Sequence, residues 1–140
     1  MTKNNDKIGK TEEEAKNAQK KYMELQMLDQ QIKQMQQYLQ TFEQQIEEIT
    51  YVIESLEELK KLKKGDEMFA PIANGIFVKA KLEENNEVRI NVGNNVIVSK
   101  TVEDAIKMLK AQEAEVEKYR TDTLVKMEDS MKRIDELQLA

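Results

Sequence analysis

The 140-residue chain contains no cysteine, no histidine and no tryptophan, and it has one proline, four glycines and only 5% aromatic residues. Without cysteine there is no disulfide framework and no thiol chemistry. Without histidine the commonest general base and the commonest metal ligand are both missing. No apolar run approaches the roughly 20 residues that span a bilayer, and the first residues are too polar for a secretory leader. A reducing, cytoplasmic setting with no membrane partner is the expectation. A phosphate-cradling Gly-rich loop is also lacking, since Gly93 stands alone. The carboxylates fall at spacings suited to solvated helix faces and to i,i+4 pairing with lysine. The chain therefore reads as a non-enzyme without metal or cofactor. A net charge of −5 argues against nucleic acid as a partner. The basic cluster Lys60, Lys61, Lys63 and Lys64 reads instead as cations complementing the negative end of a helix dipole.

What the chain does have is rhythm. Leu25, Leu28, Ile32, Met35, Leu39, Phe42, Ile46, Ile49, Ile53 and Leu56 follow one another at alternating spacings of three and four. That 3.5-residue repeat holds one helical stripe against a partner helix. Residues 1–10 are polar and without periodicity and are expected to form a disordered tail. Thr11 with Glu14 forms a capping box, and a helix is expected over 11–65, free of Gly and Pro as far as Lys64. Nine glutamines lie within residues 26–45, but they fall between the stripe positions and read as a solvated helix face.

After Gly65-Asp66 the period changes to two. Ile76, Val78, Ala80 and Leu82 alternate with Phe77, Lys79 and Lys81, and Val88, Ile90 and Val92 alternate with Arg89 and Asn91. Val96 and Val98 flank Ile97, and a weaker strand is expected at Met68–Ile72, where Pro71 favours an edge. The turn sequences Ala73-Asn74-Gly75, Glu84-Asn85-Asn86 and Gly93-Asn94-Asn95 separate these runs into two tandem β-hairpins over 66–100. Thr101 caps a second helix, expected over 101–140. Its apolar stripe reads Val102, Ala105, Leu109, Gln112, Val116 and Tyr119, then Leu124, Met127, Met131, Ile134 and Gln138. The second group is one residue out of phase with the first, which predicts a supercoil irregularity near Thr121-Asp122-Thr123.

The fold class is thus α+β: a long antiparallel coiled-coil hairpin with two β-hairpins inserted between the helices. The shorter second helix should end opposite about Met27, leaving residues 12–26 as an overhang. Ile72, Ile76, Val78, Ala80, Leu82, Val88, Ile90, Val92, Val96 and Val98 collect on one face of a four-stranded sheet that one chain cannot cover. At about 2 kcal/mol per buried aliphatic side chain, such a face drives association, and the strands are expected to complete an oligomeric β-barrel. At the free coil end Tyr22, Met23, Met27 and Leu28 meet Met131, Ile134, Leu137 and Leu139, more apolar groups than a two-helix seam buries. Flexible methionines suit a surface that accepts many apolar partners. An architectural alternative reads the same sheet as polymerising a ring or filament with the coils as spacers.

The insert also resembles a known family. Ala70-Pro71-Ile72-Ala73-Asn74-Gly75-Ile76-Phe77 is similar to the Val-Pro-[Ile/Val]-Gly-Ala-Gly-x-Phe segment of prefoldin subunits. Asn91-Val92-Gly93-Asn94-Asn95-Val96-Ile97-Val98-Ser99-Lys100 resembles their second hairpin, and Thr101-Val102-Glu103-Asp104-Ala105 the start of their second helix. Two hairpins mark the alpha class, of archaeal type. Ala73 and Asn95 depart from the family's glycines. The resemblance implies an ATP-independent chaperone subunit that assembles with beta-class subunits as an alpha2beta4 hexamer. It further implies that non-native polypeptide clients are held at the coil tips and delivered to a group II chaperonin.

Overall fold

The computed structural model describes the backbone of residues 2–139 and the side chains of residues 11–139. Helix α1 (Thr2–Lys61) leads to strands β1 (Glu67–Ala73), β2 (Ile76–Lys81), β3 (Glu87–Asn91) and β4 (Ile97–Thr101), and helix α2 (Val102–Leu139) follows directly. Residues 2–10, expected to be disordered, are helical, and Thr11 lies within α1 instead of starting it. These residues carry no proline, and a helix already nucleated propagates through polar residues at little cost apart from Gly9. At the other end α1 stops at Lys61, a few residues before the expected end at residue 65. There Asp66 closes a turn, its Oδ2 accepting the Lys63 N–H at 2.7 Å.

The chain forms two compact units, one of residues up to Glu43 with those from Lys118, the other of Gln44–Glu117. In the first, Arg133 Nε donates to Glu24 Oε1 at 2.8 Å and Arg120 Nη2 to Glu43 Oε1 at 3.4 Å, so the helices run antiparallel. Phe42 and Tyr119 stack with ring centroids 6.2 Å apart. Ile32 and Leu137 are its buried apolar residues. In the second unit Val102, Ala105 and Ile106 are buried, and Thr50 Oγ1 donates to Glu113 Oε2 at 3.2 Å.

All ten residues of the α1 stripe are partly or fully buried, whereas Thr11–Lys20 are exposed throughout. Beside Ala105 and Met108 in its first turns, the buried and partly buried positions on α2 are Val102, Ile106, Leu109, Glu113, Val116, Arg120, Thr123, Met127, Ser130, Ile134 and Leu137. From Leu109 onward their spacings alternate between four and three, so no phase slip occurs near Thr121–Thr123. The apparent slip arises because Glu113, Arg120, Thr123 and Ser130 occupy seam positions, while Gln112, Tyr119, Leu124, Met131 and Gln138 lie outside it. Combined with the Glu24–Arg133 pair, the matching rhythms set Leu25 level with Leu137 and Ile32 level with Ser130.

Among the described residues the strands form two separate two-stranded sheets, β1 with β2 and β3 with β4, and not one four-stranded sheet. The β1–β2 register pairs Met68 with Ala80 and Ala70 with Val78, with an irregularity between Pro71 and Ala73 that leaves Ile72 outside the ladder. Asn74 (φ 49°) and Gly75 (φ 79°) both take the left-handed backbone of a two-residue hairpin turn. Ala73 needs no such conformation, so its lack of glycine freedom costs the turn nothing. In β3–β4 Val88 pairs with Lys100 and Ile90 with Val98. Its turn places Gly93, Asn94 and Asn95 at positive φ, and the Asn91 side chain accepts the Gly93 N–H at 2.9 Å. The link between the hairpins has its own task. Asn85 Nδ2 donates to the carbonyls of Leu59 (3.3 Å), Lys60 (3.3 Å) and Leu62 (2.6 Å), closing the C-terminus of α1. Thr101 Oγ1 accepts the Asp104 N–H at 3.1 Å, the expected cap of α2.

Candidate functional site

Cross-strand partners point to the same side of a hairpin, so the registers assign each strand residue to a face. One face of the first hairpin carries Met68, Ala70, Val78 and Ala80, and one face of the second carries Val88, Ile90, Val98 and Lys100. Exposure grades along both. Near the helix ends Ala80, Leu82, Val88, Ile90 and Val98 are partly buried, whereas toward the turns Ile72, Ile76, Val78, Val92 and Val96 are exposed. The face expected to be wholly uncovered is therefore open mainly in its outer half.

The opposite face of the first hairpin is also apolar near its turn, where Phe69, Pro71 and Phe77 are exposed beside Lys79 and Lys81. Phe69 and Phe77 were not among the expected assembly residues, nor was Ile97, which is 63% exposed. The signal was present as phenylalanines at the positions reserved for the polar half of a period-2 alternation. The second hairpin's corresponding face is polar apart from Ile97, with Glu87, Arg89, Asn91, Ser99 and Thr101. The two hairpins therefore differ: the first is two-sided, the second one-sided.

At the paired helix ends of the first unit the expected cluster divides. Leu28, Ile134 and Leu137 lie in the seam, with Leu137 buried. Tyr22, Met23 and Met27 are each at least 60% exposed, Met131 is 43% exposed, and Leu139 is almost fully exposed. Gln26 Nε2 donates to the Tyr22 hydroxyl at 3.0 Å, which satisfies the polar tip and leaves the ring as contact surface. Nearby, Glu24 and Glu136 hydrogen-bond the Arg133 guanidinium and raise its pKa further above the ordinary arginine value, so its charge is fixed at any working pH. Among the described residues no cluster of acidic side chains is placed to hold a metal ion. Nor is any described helix long and apolar enough to cross a membrane. What the arrangement offers is contact: strand edges and apolar strand faces at one site, exposed methionine and tyrosine at another.

Two long helices joined through a pair of small antiparallel hairpins define a class of coiled-coil subunit with a β insert. A family model described as prefoldin subunit matches residues 28–140, and the chain belongs to the prefoldin family. Within it the likeness is to the alpha class. A prefoldin subunit alpha of Methanospirillum hungatei is 32% identical over 119 residues, covering 79% of this chain and 80% of that one. One from Nitrosopumilus maritimus is 29% identical, covering 85% of this chain and 81% of its own length. Another, from Methanococcus aeolicus, is 24% identical with 86% and 81% covered. In fold the chain is similar to a subunit in the cryo-EM structure of filamentous PFD from Methanocaldococcus jannaschii. There the TM-score is 0.74 at 19% identity, over 83% of this chain and 96% of that one. Membership gives this chain a chaperone-type role and implies oligomerisation with other prefoldin subunits.

Proposed function

We propose that this chain is the alpha subunit of an ATP-independent cytoplasmic holdase. Its hairpins join those of beta-class subunits in an alpha2beta4 hexamer, and its coil ends hold non-native polypeptides for delivery to a group II chaperonin. The observation that carries the reading is the division at the coil end. Leu28, Ile134 and Leu137 already close the seam, so Tyr22, Met23, Met27 and Met131 have no packing role left. Large flexible apolar side chains kept in water at the end of a long helix pair suit transient capture of exposed apolar segments. Assembly rests on the outer halves of the hairpins, where Ile72, Ile76, Val78, Val92 and Val96 are open and the strand edges are unpaired. Ala80, Leu82, Val88, Ile90 and Val98 extend that surface toward the helices.

The test is to co-express the chain with beta-class partners and weigh the product by native mass spectrometry. A hexamer with two copies of this chain is expected, whereas open-ended growth of the chain alone would replace the holdase with a filament scaffold. In the hexamer, serine at Tyr22, Met23, Met27 and Met131 together should leave the subunit count unchanged and remove most suppression of aggregation of a denatured client. Full suppression by that variant would defeat the tip assignment. Delivery is checked by following a labelled client from the hexamer onto a group II chaperonin without nucleotide.

A further inference from the structure

The turn of the first hairpin places a side-chain amide and an unshielded backbone nitrogen next to each other. Asn74 and Gly75 are both exposed, and a Cβ built on Gly75 would meet nothing within 4 Å. Their left-handed backbones set the Gly75 N–H outside the pairing of Ala73 with Ile76. Among the described residues neither the Asn74 amide nor the Gly75 N–H has a hydrogen-bond partner. The other described asparagines are held or screened. The Asn85 amide is bound to three carbonyls at the end of α1. Asn91 Oδ1 accepts the Gly93 N–H, and the next backbone nitrogen, that of Val92, donates to the Val96 carbonyl at 3.0 Å. After Asn95 the Val96 N–H donates to the Gly93 carbonyl at 2.9 Å. Asn17 lies inside α1, and Asn86 and Asn94 precede residues whose side chains crowd the backbone nitrogen.

We propose that Asn74 is a site of spontaneous deamidation, and that its conversion ages the first hairpin out of assembly. Water and hydroxide are the co-reactants. Hydroxide takes the proton of the Gly75 N–H, and the nitrogen attacks Asn74 Cγ, forming an N–Cγ bond. The Cγ–Nδ2 bond breaks, and the amide nitrogen takes a proton from water and leaves as ammonia. Water then opens the cyclic imide. Attack at Cγ gives aspartate, whereas attack at the backbone carbonyl gives isoaspartate, with the chain routed through Cγ. Asparagine is among the thermolabile side chains, and glycine leaves the attacking nitrogen unobstructed. Ring closure requires the peptide group between the two residues to rotate out of the turn. At the tip of a two-stranded sheet, beyond the irregularity between Pro71 and Ala73, that opening costs little. Either product sets a carboxylate between Ile72 and Ile76, on the exposed outer half of the hairpin. Isoaspartate also lengthens the backbone of a turn that fits only two left-handed residues, so the pairing of Ala73 with Ile76 is lost. The loss of assembly rests on the proposed joining through the hairpins; the chemistry at Asn74 does not.

The experiment ages the full chain in warm, mildly alkaline buffer. Samples are digested, and isoaspartate is located by enzymatic methyl transfer and mass spectrometry. Product is expected at position 74, forming faster as pH rises, with Asn85 lagging about tenfold because its hydrogen bonds must break first. Asn74→Gly keeps the left-handed backbone and removes the amide, so its turn should stay unchanged on ageing. Fresh and aged chains are then mixed with beta-class partners and weighed by native mass spectrometry. Aged parent should enter the hexamer severalfold less than fresh parent, whereas Asn74→Gly should enter equally before and after ageing. An intact Asn74, or conversion of Asn85 or Asn91 ahead of it, overturns the site. Conversion at position 74 with undiminished assembly overturns the ageing of the hairpin, as does an equal loss in aged Asn74→Gly. If fresh parent assembles with no partner, the assembly reading itself fails, and product at position 74 still upholds the site.

Discussion

Within each unit the two helices pack together, but they furnish the packing differently. From Leu25 to Leu56 α1 places an apolar residue at every seam position, whereas α2 interleaves Glu113, Arg120, Thr123 and Ser130 among its aliphatic ones. Their ends at the hairpins differ as well: α2 begins on its own neighbour, Thr101, whereas α1 is closed by Asn85, from beyond the first hairpin. One helix supplies the continuous adhesive surface and the other supplies variation against it. A uniform apolar stripe permits sliding by a heptad with little penalty, and polar residues at defined seam positions make one register preferable. Here Arg120 to Glu43 and Glu113 to Thr50 give that preference specific partners.

The difference can be broken most forcefully on the α1 side. Ile32→Ala truncates the least exposed of the described α1 residues, and about 2–4 kcal/mol of stability should go with it, read as a lower midpoint in denaturant unfolding followed by circular dichroism. A loss below 1 kcal/mol would mean that the α1 stripe is less decisive than its burial indicates. Asn85→Ala comes next, freeing three carbonyls at the end of α1, where water can re-solvate them in part. About 1–2 kcal/mol is expected, together with faster amide exchange in the last turn of α1 and not in the first turn of α2. The smallest change has the opposite sign. Arg120 Nε is buried without a partner while its Nη2 reaches Glu43. Since the side chain is 41% exposed, Arg120→Met should stabilise by no more than about 1 kcal/mol. Its cost should appear as mixed registers, measured as a spread of distances between spin labels on the two helices, and a single unchanged distance would deny Arg120 its register role.

The legible parts of the chain were those where composition and geometry agree. The α1 stripe, the Asn74-Gly75 turn, the Gly93-Asn94-Asn95 turn and the Thr101 cap each rest on a local rule, and each is in place. The α2 stripe misled because an apolar pattern reports the seam only when the seam is apolar. With Arg120 and Thr123 inside and Tyr119 and Leu124 outside, the best-fitting apolar rhythm shifts by one residue. The single four-stranded sheet failed for a different reason: alternation fixes which face a residue takes but not whether two hairpins bond to each other. Asn85 read only as a turn residue, because its carbonyl partners at Leu59, Lys60 and Leu62 are distant in sequence and come near only once the chain has folded. At the coil end the composition grouped Tyr22, Met23, Met27, Leu28, Met131, Ile134, Leu137 and Leu139 but could not divide them. Burial separates Leu137 from Met23, although both are large, apolar and close to the same place.

The independence of the two hairpins sets the valency of the chain. Each two-stranded sheet keeps both of its edges unpaired, and each can be satisfied by a different neighbour without disturbing the other. Under the proposed assembly, a subunit with a single hairpin would complete one partnership, whereas this chain would link two. The balance of the two kinds would then set whether growth closes on itself or continues, much as the ratio of bifunctional to monofunctional monomers sets the length of a synthetic polymer.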